Sequence, residues 1–526
     1  MVVLACTALF YATVHGQNLQ VDGVTLLQDL NTNLNGAGVR IGQVEADVDT
    51  NGDWEVDPAN VNEPTSLFVT YYTNGETSTT FPNSLGGDSW HADDIGMILY
   101  DPASGAATNV AHVDTFEADY YYNNLIASDT SVPGSVTDAV VNESFTFGYE
   151  DAATQEGIDT AYDNFSTKFR TLFVSAACNA SIYPTVCAPG TSYNCISVGA
   201  YDGDSSHGPT IDNGRCKPDI TALPPYWGPE TSFSTPMVTG AAAILMQAAR
   251  RGDGGSDTNS AANMITIKTL LLNGAVKPSD WVNFPPQPLD TNYGAGVLNV
   301  FNSYEQLAFG KHGYVLATNI PKGTVHPPVA TATTVPVLSG WDYDTNNSTS
   351  SDDSVNHYFF NVTNGTKNAT FTVTATLVWN RHSNKTAINN LALYLYNAAN
   401  SNLVASSTSV VDNVQHVYVP QLAQGRYDLQ VWKAGGSAIV STAEPYGLAW
   451  EIFSETLSAG KSGGNAYVSW PAYPAGFAVA AAASLNAPIN WSTNNLPAPV
   501  YTNHQMVLWL SATNSAQFFR LQTPDF

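Results

Sequence analysis

The sequence predicts an α/β fold followed by two all-β units, and three observations support this prediction. Between about residues 21 and 310, short β-branched runs alternate with helical stretches, a pattern typical of a parallel sheet with helices on both faces. From residue 320 to 456 the runs become all-β with frequent turn residues, which indicates a β-sandwich. A Gly-rich break at residues 459–464 precedes a small C-terminal β module over residues 465–526.

Individual elements follow from the same patterns. In the first unit, the predicted strands are residues 39–44, 139–142, 172–176 and 196–198, and the predicted helices are residues 90–99, 155–164 and 235–251. In the sandwich, strands are predicted at residues 357–362, 370–379, 391–396 and 426–432. The Pro- and Thr-rich segment that starts at residue 319 is predicted to be a linker or an edge strand.

Composition and charge limit the classes of function. The chain has 526 residues, with 18 Lys plus Arg against 45 Asp plus Glu, and a net charge of −27. Such an excess of negative charge repels nucleic-acid phosphates and anionic membrane surfaces. Only 12% of the residues are charged, so neutral polar side chains must cover much of the surface. We expect an exported protein, extracellular or attached to the cell surface, that acts as a monomer.

The first sixteen residues form an apolar run that ends in Val14-His15-Gly16, which is typical of a signal peptide. A buried strand or helix is the other interpretation. No later stretch reaches the ~18 uninterrupted apolar residues that a membrane-spanning helix needs. Four cysteines follow this segment, at positions 178, 187, 195 and 216. They predict up to two disulfides, with three pairings open, or a set of buried free thiols.

Four segments of the first unit carry side chains suited to acyl transfer. Glu45 lies at the end of a predicted strand, His91 opens a helix, Asn179 follows a strand, and Ser232 precedes a helix of small residues. Acyl transfer needs an activated hydroxyl, a base, a group that orients the base, and donors for the oxyanion. Because parallel strands end at the same edge of a sheet, these side chains can meet there.

Ser232 at a helix N-terminus gains from free backbone N–H groups and from the positive end of the helix dipole. Pro236 is expected in the first turn of that helix, where its missing N–H is harmless. The amide of Asn179 can donate a hydrogen bond to an oxyanion. Taken singly, Ser232 is also typical of a helix cap, and His91 of a core histidine.

In this order the segments IGQVEAD, HADDIGM, AACN and ETSFSTPMVTG resemble the Asp, His, Asn and Ser blocks of the subtilisin-like serine proteases, and the resemblance covers about 290 residues. It implies Ser232 as nucleophile, His91 as general base and acid, and Asn179 as oxyanion donor. It further implies that Ser144–Thr146 and Ala176–Cys178 line the pocket for the residue before the scissile bond. The implied activity is that of a secreted serine endopeptidase that acts on protein or peptide substrates and requires no cofactor.

Three positions depart from the family pattern. Glu45 stands where most members have Asp, but a carboxylate one methylene longer can still hold the imidazole of His91. Asp47, two residues on and expected on the same strand face, is the alternative orienting acid. Glu230 replaces a Gly and is expected to alter the loop or to place a charge near the cleft, whereas Asp94 replaces a second His and is expected to affect packing only.

These departures leave a second function open. A catalytically inactive relative with the same fold would be a surface or adhesion protein that binds through its β modules. The all-β segment resembles the β-sandwich domains that follow the catalytic domain in many bacterial secreted proteases. Five tryptophans of the later units predict either core aromatics or a glycan-binding platform. They are Trp432, Trp450, Trp470, Trp491 and Trp509.

A metal site is the last alternative that the sequence raises. From Asp47 to Glu55, acidic and amide side chains alternate around Gly52, as they do at the start of a calcium loop. Pro58 occupies the position where such a loop needs a bidentate Glu. Structural calcium and a solvated turn therefore both remain open for this segment.

Overall fold

The computed structural model describes residues 18–522 apart from short gaps. The gaps are residues 73–75, 131–138, 149–150, 325–327, 329–331, 365–368, 455, 463–464, 473–476, 495, 503 and 511–516. The predicted signal peptide over residues 1–16 lies outside the described residues.

The first unit is built on an eight-stranded sheet, flanked by a two-stranded ladder. The strands are β1 (Arg40–Glu45), β2 (Asp53–Glu55), β3 (Phe68–Tyr72), β4 (Glu76–Ser78), β5 (Gly87–Asp88), β6 (His112–Glu117), β7 (Val140–Glu143), β8 (Leu172–Ala176), β9 (Ile196–Ala200) and β10 (Ile220–Ala222). The sheet order is β10-β9-β8-β7-β1-β6-β3-β4, and β2 pairs with β5. Neighbouring strands of the large sheet are parallel except β3 and β4. The predicted parallel α/β architecture is confirmed.

Besides a helical stretch at residues 18–21, the described residues of this unit contain seven α-helices of four or more residues. They are α1 (Val24–Leu30), α2 (Trp90–Leu99), α3 (Ala152–Phe169), α4 (Thr231–Arg251), α5 (Thr258–Ala261), α6 (Met264–Gly274) and α7 (Val300–Ala308). A short helical segment, Ala118–Tyr120, continues as a π-helix over Tyr121–Ile126. Helix α2 has the predicted bounds, and its first turn is capped by the Ser89 side chain.

Helix α4 begins at Thr231, earlier than predicted, because the polar block before the apolar run is already helical. The expected place of Pro236 is therefore wrong: it lies in the second turn. Helix α4 is buried along nearly its whole length. At Gly240, a Cβ atom would lie 2.6 Å from the Cβ of Ala106, so only glycine permits this close approach.

The strands of the sheet bury side chains on both faces, as parallel strands do. Val140 and Val174 face a core that also contains α2, α4 and α6. Val141 and Phe173, one residue away on the same strands, face a second core formed with α3. The two layers of helices therefore hold the sheet between them.

The second unit is a sandwich of two antiparallel sheets, with orders β11-β13-β18-β15-β16 and β12-β19-β14-β17. Its strands are β11 (Leu316–Pro321), β12 (Ser339–Asn347), β13 (Asp352–Val362), β14 (Thr370–Trp379), β15 (Leu391–Asn397), β16 (Asn402–Ser407), β17 (Val414–Ala423), β18 (Gly425–Lys433) and β19 (Ala443–Phe453). Only the first three residues of the segment predicted to be a linker or an edge, residues 319–321, lie in the edge strand β11, which starts at Leu316.

The described residues of the last unit form six short strands in two small sheets, β20-β21-β24-β23 and β22-β25. They are β20 (Ser458–Ser462), β21 (Asn465–Pro471), β22 (Ala478–Ala482), β23 (Val500–Thr502), β24 (Gln505–Leu510) and β25 (Phe518–Gln522). The predicted break at residues 459–464 is partly wrong, because residues 459–462 pair as β20 with β21. Two of the five tryptophans, Trp450 and Trp470, are core residues, whereas Trp509 is 42% exposed.

The first unit and the sandwich share one hydrophobic core. Trp341 and Ala449 of the sandwich belong to the same buried cluster as Ile265 and Leu307, and α6 packs against β14 and β19. Within the described ranges, no helix is both long and apolar enough to cross a membrane.

Polar contacts cross the same boundary at Asn273. This buried residue of α6 accepts hydrogen bonds through Oδ1 from the hydroxyls of Thr374 (3.0 Å) and Thr376 (2.9 Å) on β14. Replacement of Asn273 by Ala should lower the free energy of unfolding by about 2–4 kcal/mol, because two buried hydroxyls lose their acceptor. Guanidinium denaturation followed by circular dichroism measures this change. Asn164→Ala, which removes an exposed contact with Asn384, is the control and should change the stability much less; equal effects would contradict the prediction.

Candidate active site

The four candidate residues converge at the edge of the sheet where the parallel strands end. β1 ends at Glu45, and β8 is followed within three residues by Asn179. β7 lies between these two strands and leads into Ser144. His91 and Ser232 are brought to this edge by the first turns of α2 and α4. The arrangement follows the rule that parallel α/β sheets place their sites at the carboxyl ends of the strands.

Glu45 is the acid that contacts His91. Its side chain is 2% exposed, and Oε2 lies 2.8 Å from Nδ1 of His91. The other carboxylate oxygen accepts a hydrogen bond from Nε2 of Gln43 (2.9 Å). Gln43 is itself fixed, because it also donates to the carbonyl of Ala92 and accepts from the hydroxyl of Tyr100. Both oxygens of Glu45 are therefore held in place.

Asp47, the alternative orienting acid, lies beyond the end of strand β1. Because β1 ends at Glu45, the alternation of side chains that would put Asp47 on the same face as Glu45 does not continue. Its side chain is exposed. Partial loss of hydration raises the pKa of Asp47, and repulsion from Asp119, Asp49 and Asp53 adds to the effect.

His91 lies in an aromatic and acidic environment. Its ring centroid is 5.6 Å from those of both Trp90 and Phe233. Burial lowers the pKa of His91, but the charge and hydrogen bond of Glu45, with help from Asp94 and Glu230, outweigh it, so the pKa is raised above 6.5. The protonated form of the imidazole is thus stabilised. A general base needs this, because it must take up a proton during a reaction.

Ser232 is fixed by a two-way contact with Ser144. The carbonyl of Ser232 accepts a hydrogen bond from Oγ of Ser144 (2.8 Å), and Oγ of Ser232 donates to the carbonyl of Ser144 (3.1 Å). Pro236 explains the first contact. In an α-helix the N–H of residue 236 would bind the carbonyl of residue 232, but proline has no N–H, so that carbonyl stays available to Ser144.

Asn179 is oriented by the residue next to Ser232. Its Oδ1 accepts hydrogen bonds from the N–H (3.0 Å) and the hydroxyl (2.9 Å) of Thr231. Both bonds use the amide oxygen, so the amide nitrogen is turned away from Thr231 and keeps its two N–H groups for another acceptor. Sequence reasoning did not identify Thr231 or Gln43 as supports of the site, and it placed Ser144 only in the lining of the substrate pocket. Gln43 had a signal in the sequence, its i, i+2 spacing from Glu45 on one strand.

The two departures near His91 both bring negative charge to it. Burial raises the pKa of Asp94 to about 6, although attraction to His91 lowers it. The expectation that Asp94 affects packing only is therefore wrong, because its charge acts on His91. Burial and repulsion from Asp204 raise the pKa of Glu230, which immediately precedes Thr231 at the start of α4.

A third segment, residues 187–188, connects the two segments that are implied to line the substrate pocket. The N–H of Cys187 donates to the carbonyl of Ala177 (3.3 Å), and the N–H of Phe147 donates to the carbonyl of Ala188 (2.8 Å). Residues 187–188 therefore connect Ala176–Cys178 with the chain that follows Ser144–Thr146.

Cys178, Cys187, Cys195 and Cys216 form no disulfide with one another in the structure, so the predicted disulfides do not occur in it. Cys195 and Cys216 are bound by separate backbone carbonyls. Cys178 belongs to one of the segments implied to line the substrate pocket, and Cys187 contacts that segment through the backbone of Ala177. A hydrogen bond with the Cys187 thiol lowers the pKa of Cys178 to about 6.

The candidate calcium segment shows no ligand set. In the parts of the chain that the structure describes, no three His, Cys, Asp or Glu side chains are grouped as metal ligands. Burial and repulsion from Asp49 raise the pKa of Asp53.

Comparison with known families decides the class of this unit. Residues 110–301 match the model of the subtilase family. The unit is a subtilisin-like serine peptidase domain. The match includes Asn179 and Ser232, whereas Glu45 and His91 precede it in the chain. Their roles therefore rest on the geometry and on the sequence blocks.

Two solved structures are similar to parts of this chain. A protease from Pseudoalteromonas arctica is 17% identical over 52% of this chain and 91% of its own, with a TM-score of 0.33. Tripeptidyl peptidase 2 is 12% identical over 79% of this chain and 48% of its own, also with a TM-score of 0.33. Because neither TM-score reaches 0.5, the family match carries the assignment. No curated protein matches the chain significantly.

Replacement of Glu45 by Gln should lower kcat by about 10³–10⁴-fold, because an amide favours the wrong imidazole tautomer. It should also move the acid limb of the kcat/KM profile to lower pH, since loss of the carboxylate lowers the pKa of His91. The measurement is peptide hydrolysis as a function of pH. Asp47→Asn is the matched control and should keep kcat nearly unchanged; the reverse ranking of the two variants would assign the orienting role to Asp47.

Glu230→Gln should move the acid limb of the kcat/KM profile to lower pH and leave its plateau in place. The reason is that Glu230 raises the pKa of His91, and the base must be neutral to act. Glu76→Gln, at an exposed position on β4, is the control and should not move the profile. An acid limb that stays fixed in Glu230→Gln would exclude this electrostatic role.

Proposed function

We propose that the chain is a secreted serine endopeptidase that hydrolyses peptide bonds through an acyl-enzyme on Ser232. The observation that supports this most directly is the 2.8 Å contact between Oε2 of Glu45 and Nδ1 of His91. It fixes the proton of the neutral ring on Nδ1 and leaves Nε2 to accept another.

Acylation begins when the hydroxyl of Ser232 leaves the carbonyl of Ser144 and turns to His91. His91 takes the hydroxyl proton on Nε2 while Oγ attacks the carbonyl carbon of the substrate, and the buried carboxylate of Glu45 stabilises the imidazolium. The oxyanion then accepts hydrogen bonds from the amide nitrogen of Asn179. The N–H of Ser232 adds a second donor, since the first turn of a helix has N–H groups without intrahelical acceptors.

The intermediate collapses when His91 gives its proton to the nitrogen of the leaving peptide. A water molecule then takes the place of that peptide, and His91 removes a proton from it as it attacks the ester carbonyl of acyl-Ser232. The carboxylic acid product leaves and Ser232 regains its proton. The peptide substrate, the protein groups and water account for every atom of the proposed reaction, so the proposed mechanism requires no cofactor.

The net charge supports the partners that we propose, and the apolar first residues support the location. A net charge of −27 disfavours nucleic acid as a partner, and peptides or proteins are the substrates of the site. The apolar first sixteen residues support export. Structural calcium near Asp47 would not enter the chemistry.

A fluorophosphonate probe, which reacts with activated serine hydroxyls, tests the nucleophile. We expect the folded protein to be labelled and to cut casein at internal bonds, and Ser232→Ala to abolish both. Ser234→Ala is the matched control, because that hydroxyl only donates to the carbonyl of Ala222 in the core; it should be labelled like the original chain. Absence of labelling in folded protein would favour the inactive binding protein, and labelling that survives Ser232→Ala would place the nucleophile elsewhere.

A further inference from the structure

We propose that the β-sandwich supplies a positioning residue, Arg381, for the substrate pocket of the peptidase. The proposal rests on the proposed function of the site and extends it to a second unit of the chain. Arg381 does not reach the reacting atoms. It acts through the segment of residues 187–195, here named the pocket segment.

Arg381 reaches from the sandwich into the peptidase domain. It lies two residues after the end of β14, and its side chain is completely buried. Nε donates to Oδ2 of Asp163 and Nη1 donates to Oε1 of Glu156, each at 2.6 Å, and both acids lie on α3. A buried charge is tolerated only when it is paired in this way. Loss of the guanidinium would therefore leave acids of the peptidase domain without their partner.

The same residue holds one end of the pocket segment. Its backbone N–H donates to Oδ1 of Asn194 (2.8 Å), and its backbone carbonyl accepts from Nδ2 of Asn194 (3.1 Å). Its guanidinium carbon lies 4.6 Å from the ring centroid of Tyr193, and that of Arg215 lies 4.1 Å from it. The neighbouring Asn413 of the sandwich donates to the carbonyl of Tyr193 (2.9 Å).

The other end of the pocket segment forms part of the pocket. Cys187 and Ala188 bind the backbone of Ala177 and Phe147, as described above. At Gly190 a Cβ atom would lie 2.7 Å from the carbonyl oxygen of Ala176, so the segment lies directly against the pocket wall. Only a few residues separate these contacts from the Tyr193 and Asn194 contacts with Arg381.

Arg381 is the one cation of the sandwich, among the described residues, that pairs with acids of the peptidase domain. The remaining cations on the pocket segment belong to the peptidase domain itself. Lys268 donates to the carbonyls of Tyr193 and Cys195, and Lys217 donates to that of Ser192. These groups would hold the segment partly when Arg381 is changed. A variant should therefore fold, with a looser pocket and an intact nucleophile.

The experiment compares Arg381→Met with the original chain, since methionine keeps much of the volume and removes the charge. Arg426→Met is the matched control, because the guanidinium of Arg426 packs over Phe359 within the sandwich. Two peptide substrates are used that differ only in the residue before the scissile bond, phenylalanine or alanine. The measurements are kcat, KM, the melting temperature and stoichiometric labelling by the fluorophosphonate probe.

For Arg381→Met we expect KM of the phenylalanine substrate to rise about tenfold with kcat largely kept, because a misplaced pocket wall weakens binding in ground and transition states alike. The alanine substrate, which fills little of the pocket, should change much less, and Arg381→Lys should recover part of the loss. Arg426→Met should behave like the original chain.

A lower melting temperature with unchanged KM for both substrates would show that Arg381 has only a structural role, and equal losses for both substrates would exclude action through the pocket. A failure of the proposed function would look different, because the original chain itself would then neither take the probe nor cleave either peptide.

Discussion

The central helix α4 is buried on nearly every side, and the positions of the other elements depend on that constraint. Small residues such as Gly240 let neighbouring backbone approach closely, and the helix contacts the sheet, α2 and α7 at once. A helix held this tightly has a fixed N-terminus. Ser232 therefore stands at the sheet edge because the whole core positions it, and the same core continues into the sandwich through Trp341.

A single missing donor connects this packing to the chemistry. Pro236 has no N–H to donate to the carbonyl of Ser232. This carbonyl instead accepts a hydrogen bond from Ser144, which follows the end of β7. Ser232, the proposed nucleophile, is thereby tied to β7, the strand next to β1. Thr231 in turn holds Asn179, the proposed oxyanion donor. Contacts of the first helical turn thus fix the positions of Ser232 and Asn179 relative to the sheet.

Charge has two separate roles in this acidic chain. Near the candidate site, Glu45, Asp94 and Glu230 surround one histidine and raise its pKa. At the boundary with the sandwich, the few cations are buried and paired, as Arg381 is with Asp163 and Arg215 with Asp159. Basic residues are therefore scarce mainly at the surface, because several of the basic residues in the chain are buried. There they neutralise acidic side chains inside the protein.

The sequence by itself determined the elements whose patterns are local. Strand and helix alternation predicted the parallel sheet, and the blocks around Glu45, His91, Asn179 and Ser232 predicted one common edge. Tertiary structure decided the features that local sequence patterns do not encode. It separated Glu45 from Asp47, since β1 ends at Glu45, and it placed Pro236 in the second turn. It also formed no disulfide among the four described cysteines, and it joined the sandwich to the peptidase domain. These outcomes depend on contacts between residues far apart in the chain, and only folding brings those residues together.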